Sequence, residues 1–172
     1  MKITPPAIEE YPEYFNKYIS KVRGEPITEL TQGLKKISRL ISKQNKKQLA
    51  YRYAEGKWNI KEILVHLMDA ERVFCYRALR FARKDETPLP SFDENVWVPN
   101  SLAGYRKIKS IMEEYAAVRN ATTALFSNMD DVMFNCSGIA NGRQISVRSI
   151  LYTICGHELH HIEIIKERYL SF

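Results

Sequence analysis

The residues best suited to chemistry lie in the segment GHELHH, residues 156–161, which holds three of the chain's four histidines. His157 and His161 are four residues apart, and on a helix that spacing puts both side chains on one face, about 5 to 6 Å apart at Cβ. Two imidazoles so placed can grip one ion with bonds of about 2.0 to 2.1 Å. His160 lies about 100° round the helix from His161 and is poorly placed to join them. The same string satisfies HExxH, in which Glu158 would be the general base of a zinc protease. After His161 the sequence offers Glu163 and Glu167, both on the same expected helix, so a protease reading needs its third ligand from upstream.

His66 is the upstream candidate. It sits within KEILVHLMDAERV among residues that otherwise form an apolar helical stripe. A polar ring in a core costs several kcal/mol unless it finds a partner, and an inward-facing His157 and His161 pair on another helix provides one. Helical bundles commonly place metal ligands on facing helices in this way.

The elements that would position these histidines are helical. Glycine and proline fall between long segments of helical period rather than between alternating strands. A short helix is expected over Ala7–Val22, a second over Ile27–Lys43, and a strong one over Asn59–Arg83, where Asn59 and Glu62 have the spacing of a capping box. In KDETPLPSFDENVWVPNS, Pro88, Pro90 and Pro99 should prevent a helix through most of the segment. Ser101 is the expected cap of a helix running to Met129, Asn141-Gly142 signals a small hairpin, and a last helix should cover Val147–Tyr169. The pattern predicts one all-α domain over residues 1–172, a four-helix bundle with a short N-terminal helix and long crossover loops.

Composition agrees. Apolar residues make up 45% and charged residues 27% of the 172 residues, enough for roughly two-thirds of the unfolded surface to be buried. No stretch approaches the ~20 apolar residues of a membrane helix, and MKITPPAIEEYPEYF has acids and prolines where a signal peptide is apolar. A cytoplasmic protein without membrane contact is expected. Three cysteines form no disulfide framework, and Cys75 and Cys155 read as buried thiols. The net charge of +6 comes entirely from residues 1–57, where 12 basic residues face 6 acids. Lys35, Lys36, Arg39, Lys43, Lys46 and Lys47 fit a solvated helix face, and no nucleic-acid motif accompanies them, so nucleic acid is not an expected partner.

Taken together, KWNIKEILVHLMDAE, SFDENVWVPNS, AAVRNATTALF and VRSILYTICGHELHHIEIIKERY resemble the DinB/YfiT-like superfamily of metal-dependent enzymes over nearly the whole chain. The resemblance implies an up-down-down-up four-helix bundle, often a homodimer. It also implies a metal triad, which maps onto His66, His157 and His161. Characterised relatives are transferases or isomerases that use low-molecular-weight thiols, so the expected partners are a small thiol and an electrophilic substrate.

Three neutral imidazoles leave a divalent ion its full charge and open positions, the pattern of a catalytic site. Imidazole suits several metals; Zn or Ni is expected first, then Fe or Mn. Glu62, Asp69 and Glu158 are candidates to orient the rings, each within one turn of a ligand. Asp93 and Glu94, with Trp97, could cover the site or touch substrate, and Tyr152 could present its hydroxyl near the pocket. The catalytic candidates are therefore Glu158, Asp93 and Tyr152. A metal-dependent hydrolase, or a non-catalytic metal- or nucleic-acid-binding bundle, is the alternative.

Overall fold

The computed structural model describes residues 3–170. At the N-terminus the expected continuous helix does not form. Two 3-10 turns, Ile8–Glu10 and Glu13–Phe15, lead into a single turn of helix α1, Asn16–Ile19. The break falls at Tyr11-Pro12: a residue before proline avoids the helical region, and Tyr11 is extended at φ −153° and ψ 155°.

Four long helices follow, each begun by an identifiable device or lacking one. Helix α2, Pro26–Ile41, has proline at its first position, and the Glu25 carboxylate accepts from the Ile27 and Thr28 amides. A short α3, Lys46–Ala50, precedes α4, Ile60–Ala82. There Asn59 Oδ1 accepts from the Glu62 amide at 3.1 Å, and Glu62 Oε2 accepts from the Asn59 amide at 2.8 Å, closing the capping box.

The proline-rich segment contains a helix after all. Helix α5, Glu94–Asn100, is capped by Asp93, which accepts from the Asn95 amide at 2.8 Å. Pro99 is tolerated because the helix ends one residue later and loses little by its missing N–H. Ser101 does not begin the next helix. Its hydroxyl donates to the Val98 carbonyl at 2.7 Å and so closes α5, and Leu102 turns the chain at φ 52°. Helix α6 starts only at Ile108 and runs to Ser127, without a side-chain cap.

After α7, Asp131–Asn135, the strands β1, Ser137–Ala140, and β2, Arg143–Ser146, form the expected hairpin. Asn141 and Gly142 both have positive φ, 52° and 67°, as this two-residue turn requires. Helix α8, Val147–Tyr169, is capped by Ser146, whose Oγ accepts from the Ser149 amide at 3.0 Å.

The long helices close an up-down-down-up four-helix bundle in which α4 packs on α6 and α8, and α2 packs on the same two. Its interior is not uniformly apolar. One cluster, with Leu30, Phe74, Phe126 and Ile154, and another, with Ile37, Leu67, Ile111 and Ile162, lie on either side of a buried polar layer. No helix of the described residues is long and apolar enough to cross a membrane. The basic residues of α2 and α3 are exposed.

Candidate metal centre

His66 comes from the middle of α4, and His157 and His161 from α8. The 3.6-residue period turns all three toward the α4–α8 seam. His157 Nε2 lies 3.1 Å from His66 Nε2 and 3.1 Å from His161 Nε2, and the three ligating nitrogens are within 4.8 Å of one another. His66 and His157 are each 7% exposed; His161 is half-buried. His160 stays outside this cluster, its ring 5.4 Å from that of Tyr18.

A single nitrogen carries either a proton or a lone pair, so His157 Nε2 cannot fully satisfy two facing Nε2 atoms by hydrogen bonds alone. A shared cation satisfies all three. With metal–nitrogen bonds of about 2.0 to 2.1 Å, neighbouring donors are roughly 2.9 Å apart at right angles and 3.4 Å apart at tetrahedral angles; the 3.1 Å spacings from His157 to His66 and to His161 fall between. Burial also holds the rings neutral. It lowers His66 to about 4 and His161 to about 3, the latter with help from the neighbouring histidines. His157 is pushed well below its usual range by burial and then by His161 and His66. Neutral imidazole is the form that ligates a metal. His161 Nδ1 is buried without a hydrogen-bond partner, so no acceptor holds its proton.

Two cavities flank the cluster. One, of about 240 Å³, is lined by Tyr53, Lys57, Trp58, Asn95, His161 and Tyr169. The other, of about 220 Å³, is lined by Lys17, Tyr18, Trp58, His66, Glu94 and His157. Trp58 packs on His66 at 4.8 Å between ring centroids, and Tyr18 on His157 at 5.1 Å. Tyr18 is there because α1 lies directly on α8 at Gly156: a Cβ at that position would be 2.0 Å from the Tyr18 carbonyl oxygen. Trp58 stands in the segment KWNIKEILVHLMDAE and Tyr18 in the expected N-terminal helix, but nothing in the sequence marks either as a neighbour of the histidines.

The catalytic candidates other than the histidines lie elsewhere. Glu158 points from a different face of α8 into the bundle, 2% exposed. There its Oε1 accepts from Arg119 Nη2 at 2.8 Å and from the Tyr115 hydroxyl at 2.6 Å. Arg119 in turn clamps Glu71 through two hydrogen bonds of 3.0 and 2.9 Å and donates to the Leu30 carbonyl at 2.7 Å. Burial raises Glu158, with Arg119 and Tyr115 opposing, and Gly33 leaves room for it, since a Cβ there would be 1.7 Å from Glu158 Oε2. The structure therefore places Glu158 in the polar layer, its carboxylate engaged by Arg119 and Tyr115 rather than turned to the histidines.

Tyr152 donates its hydroxyl to the Ile3 carbonyl at 2.9 Å, tying down the N-terminal segment rather than facing the pocket. Asp93 is exposed and serves as a helix cap; its neighbour Glu94 is the acid that lines the cavity. Trp97 packs on Phe92 at 4.9 Å between centroids. Glu62 is held by Arg52 and its capping role, and Asp69 by Arg72. Cys155 is buried, whereas Cys75 is only half-buried and bonded to Thr122 at 3.3 Å; burial pushes its thiol up to about 12.

The fold and site together define a class: a mostly helical bundle with three histidines converging from two helices. A family model of the DinB superfamily matches residues 29–165, and the chain belongs to that superfamily. It is 25% identical over 134 residues, 76% of each chain, to a protein of Oceanobacillus iheyensis whose name places it with the metal-dependent hydrolases. The structure of YfiT from Bacillus subtilis, described as a probable metal-dependent hydrolase with an unusual four-helix bundle topology, superposes with a TM-score of 0.73. Identity there is 21%, covering 94% of this chain and 89% of that one. A mycothiol-dependent maleylpyruvate isomerase superposes with a TM-score of 0.66 at 14% identity, covering 83% of this chain and 60% of the isomerase.

Proposed function

We propose that this chain is a metal-dependent transferase in which His66, His157 and His161 hold one divalent ion, Zn or Ni first and Fe or Mn next, and a small thiol is activated there. The observation that carries the reading is the convergence of three neutral imidazoles, with His157 Nε2 3.1 Å from the Nε2 atoms of both His66 and His161 and all three ligand atoms within 4.8 Å of one another. A divalent ion with three neutral ligands supplies a Lewis acid that stabilises a thiolate, or a hydroxide, at neutral pH.

The chain's own residues do the rest. Trp58 and Tyr18 wall the histidines on two sides. Lys17, whose ammonium lies 4.7 Å from the Tyr18 ring centroid, presents a positive charge at the mouth of one cavity. Glu94, lining the same cavity, is the acid available to take or return a proton. The two cavities share Trp58 and His161, which suits two organic substrates, a thiol in one and an electrophile in the other.

A hydrolase is the second reading, favoured by the name of the Oceanobacillus relative. It is disfavoured by Glu158, whose carboxylate is committed to Arg119 and Tyr115 rather than to a water at the histidines. The reading also includes a homodimer, which light scattering tests directly.

Elemental analysis should find about one divalent ion per chain, lost in His157→Ala; unchanged metal in that variant refutes the triad. Bacillithiol, mycothiol, glutathione and coenzyme A are then assayed against bimane-type electrophiles, and esters are assayed without thiol. Thiol-dependent turnover supports the transferase, whereas ester turnover without thiol replaces it with the hydrolase.

A further inference from the structure

The buried arginines of this chain are treated differently. Arg119 is 1% exposed and meets two carboxylates. Arg77, on α4, is 6% exposed and meets none: no ion pair among the described residues includes it. A guanidinium carries five N–H donors in a planar fork. Arg77 Nη2 donates to the Pro90 carbonyl at 2.7 Å, and its cation lies 5.8 Å from the Phe74 ring centroid and 5.7 Å from that of Phe92. The remaining donors have no partner among the described residues and are not sealed by protein atoms; they open onto a cavity of about 260 Å³. Cation–π contacts offset part of the cost of burying a charge, but they leave those N–H groups unmet.

This cavity continues to the histidines. Tyr14, Phe74, Phe92 and Glu94 line both it and the cavity that holds His66 and His157. On α4, Arg77 follows His66 by eleven residues, close to three turns and about 16 Å of axial rise, with Ala70 and Phe74 on the same stripe. Helical side chains lean toward the N-terminus at both positions, so the longer arginine shortens that span by no more than about a few ångströms. A groove therefore runs along one face of α4, with the three histidines at one end, two phenylalanines in its middle and an unpaired cation at the other.

We infer that Arg77 is a binding residue for a substrate carboxylate, and that the chain takes an elongated monocarboxylic acid with an apolar or aromatic middle, its reacting end at the histidines. Tyr14, Ser91 and Asn141 also line the Arg77 end and offer neutral hydrogen-bonding groups beside the fork. The fork matches a carboxylate bidentately. Glu94 in the same lining adds a negative charge, so one guanidinium leaves the subsite suited to a monoanion and poorly suited to a dianionic phosphate. This deepens the proposed function and rests on it for the reaction, but not for the binding.

The test measures binding by calorimetry with the full chain as purified, using 4-phenylbutyrate, 4-phenylbutan-1-ol and 3-phenylpropyl phosphate. The expected result is that the carboxylate binds at least tenfold more tightly than the alcohol and the phosphate ester. Arg77→Met should remove that preference, Arg77→Lys should retain part of it, and His157→Ala should change the carboxylate affinity less than threefold. The Arg77 Nε–H resonance of the wild-type protein should move on titration with 4-phenylbutyrate, a readout that needs no variant to fold. Loss of carboxylate binding in His157→Ala with retention in Arg77→Met overturns the inference, because the acid then binds at the metal. An unmoved Arg77 resonance or tighter binding of the phosphate ester overturns it equally. Failure of the metal reading shows separately, as an absence of metal with carboxylate binding intact.

Discussion

Arg119→Met removes the cation that, among the described residues, pairs with both carboxylates of the buried layer. Glu71 and Glu158 are 4% and 2% exposed, and both accept from Arg119 in the wild type. Methionine keeps most of the side-chain volume, so packing changes little while the charges lose their partner. Breaking a buried ion pair from one side costs about 3–5 kcal/mol, and at about 2–4 °C per kcal/mol for a domain of this size the midpoint should fall by roughly 6–20 °C.

The loss has a pH signature. Without Arg119 the Glu158 carboxyl, already raised by burial, loses the cation that opposes the shift, so the folded state holds a proton that the unfolded state has released. Stability then falls as pH rises above the unfolded value near ~4.3, and the defect is larger at pH 8 than at pH 5. Urea denaturation of wild type and variant at both values measures it. Neutralising the acids as well, in the triple variant Glu71→Gln, Arg119→Met, Glu158→Gln, should recover at least half of the loss. A defect below about 1 kcal/mol, or one identical at pH 5 and pH 8, refutes the account of the polar layer.

Further expectations can be measured on the same material. Gly156→Ala should destabilise more than Gly33→Ala in thermal melts, because the first Cβ meets the Tyr18 backbone and the second the end of the Glu158 side chain; overpacking of this kind costs about 1–3 kcal/mol. Glu10 is raised by burial, but Arg148, the Ala7 amide and Ser146 outweigh this and hold it below its usual range. A carboxylate so lowered stabilises the folded state above its unfolded pKa and loses that effect as pH falls through its folded one. Glu10→Gln should therefore cost about 1–2 kcal/mol at pH 7 and little at pH 3, read from urea midpoints; an equal cost at both contradicts it.

Much of the architecture was legible from local chemistry. The Asn59–Glu62 capping box, the Asn141-Gly142 turn and the helical spacing of His157 and His161 depend on residues within four positions of one another, and short-range sterics and hydrogen bonding decide such features. The errors fell where two local signals competed. Pro12 overrode an apolar pattern, Pro99 sat at a helix end that tolerates it, and Ser101 closed one helix instead of opening the next.

Position along the helix put His157 and Glu158 on different faces, but only the packed bundle decided what each face meets. His66 arrives from ninety-one residues away, while Arg119 and Tyr115 on α6 claim Glu158. Tyr18 acquires its setting the same way, from α1 packed on the distant α8. A residue's type and its nearest neighbours set what a side chain is able to do; burial and a partner brought from elsewhere in the chain set which of those things it does.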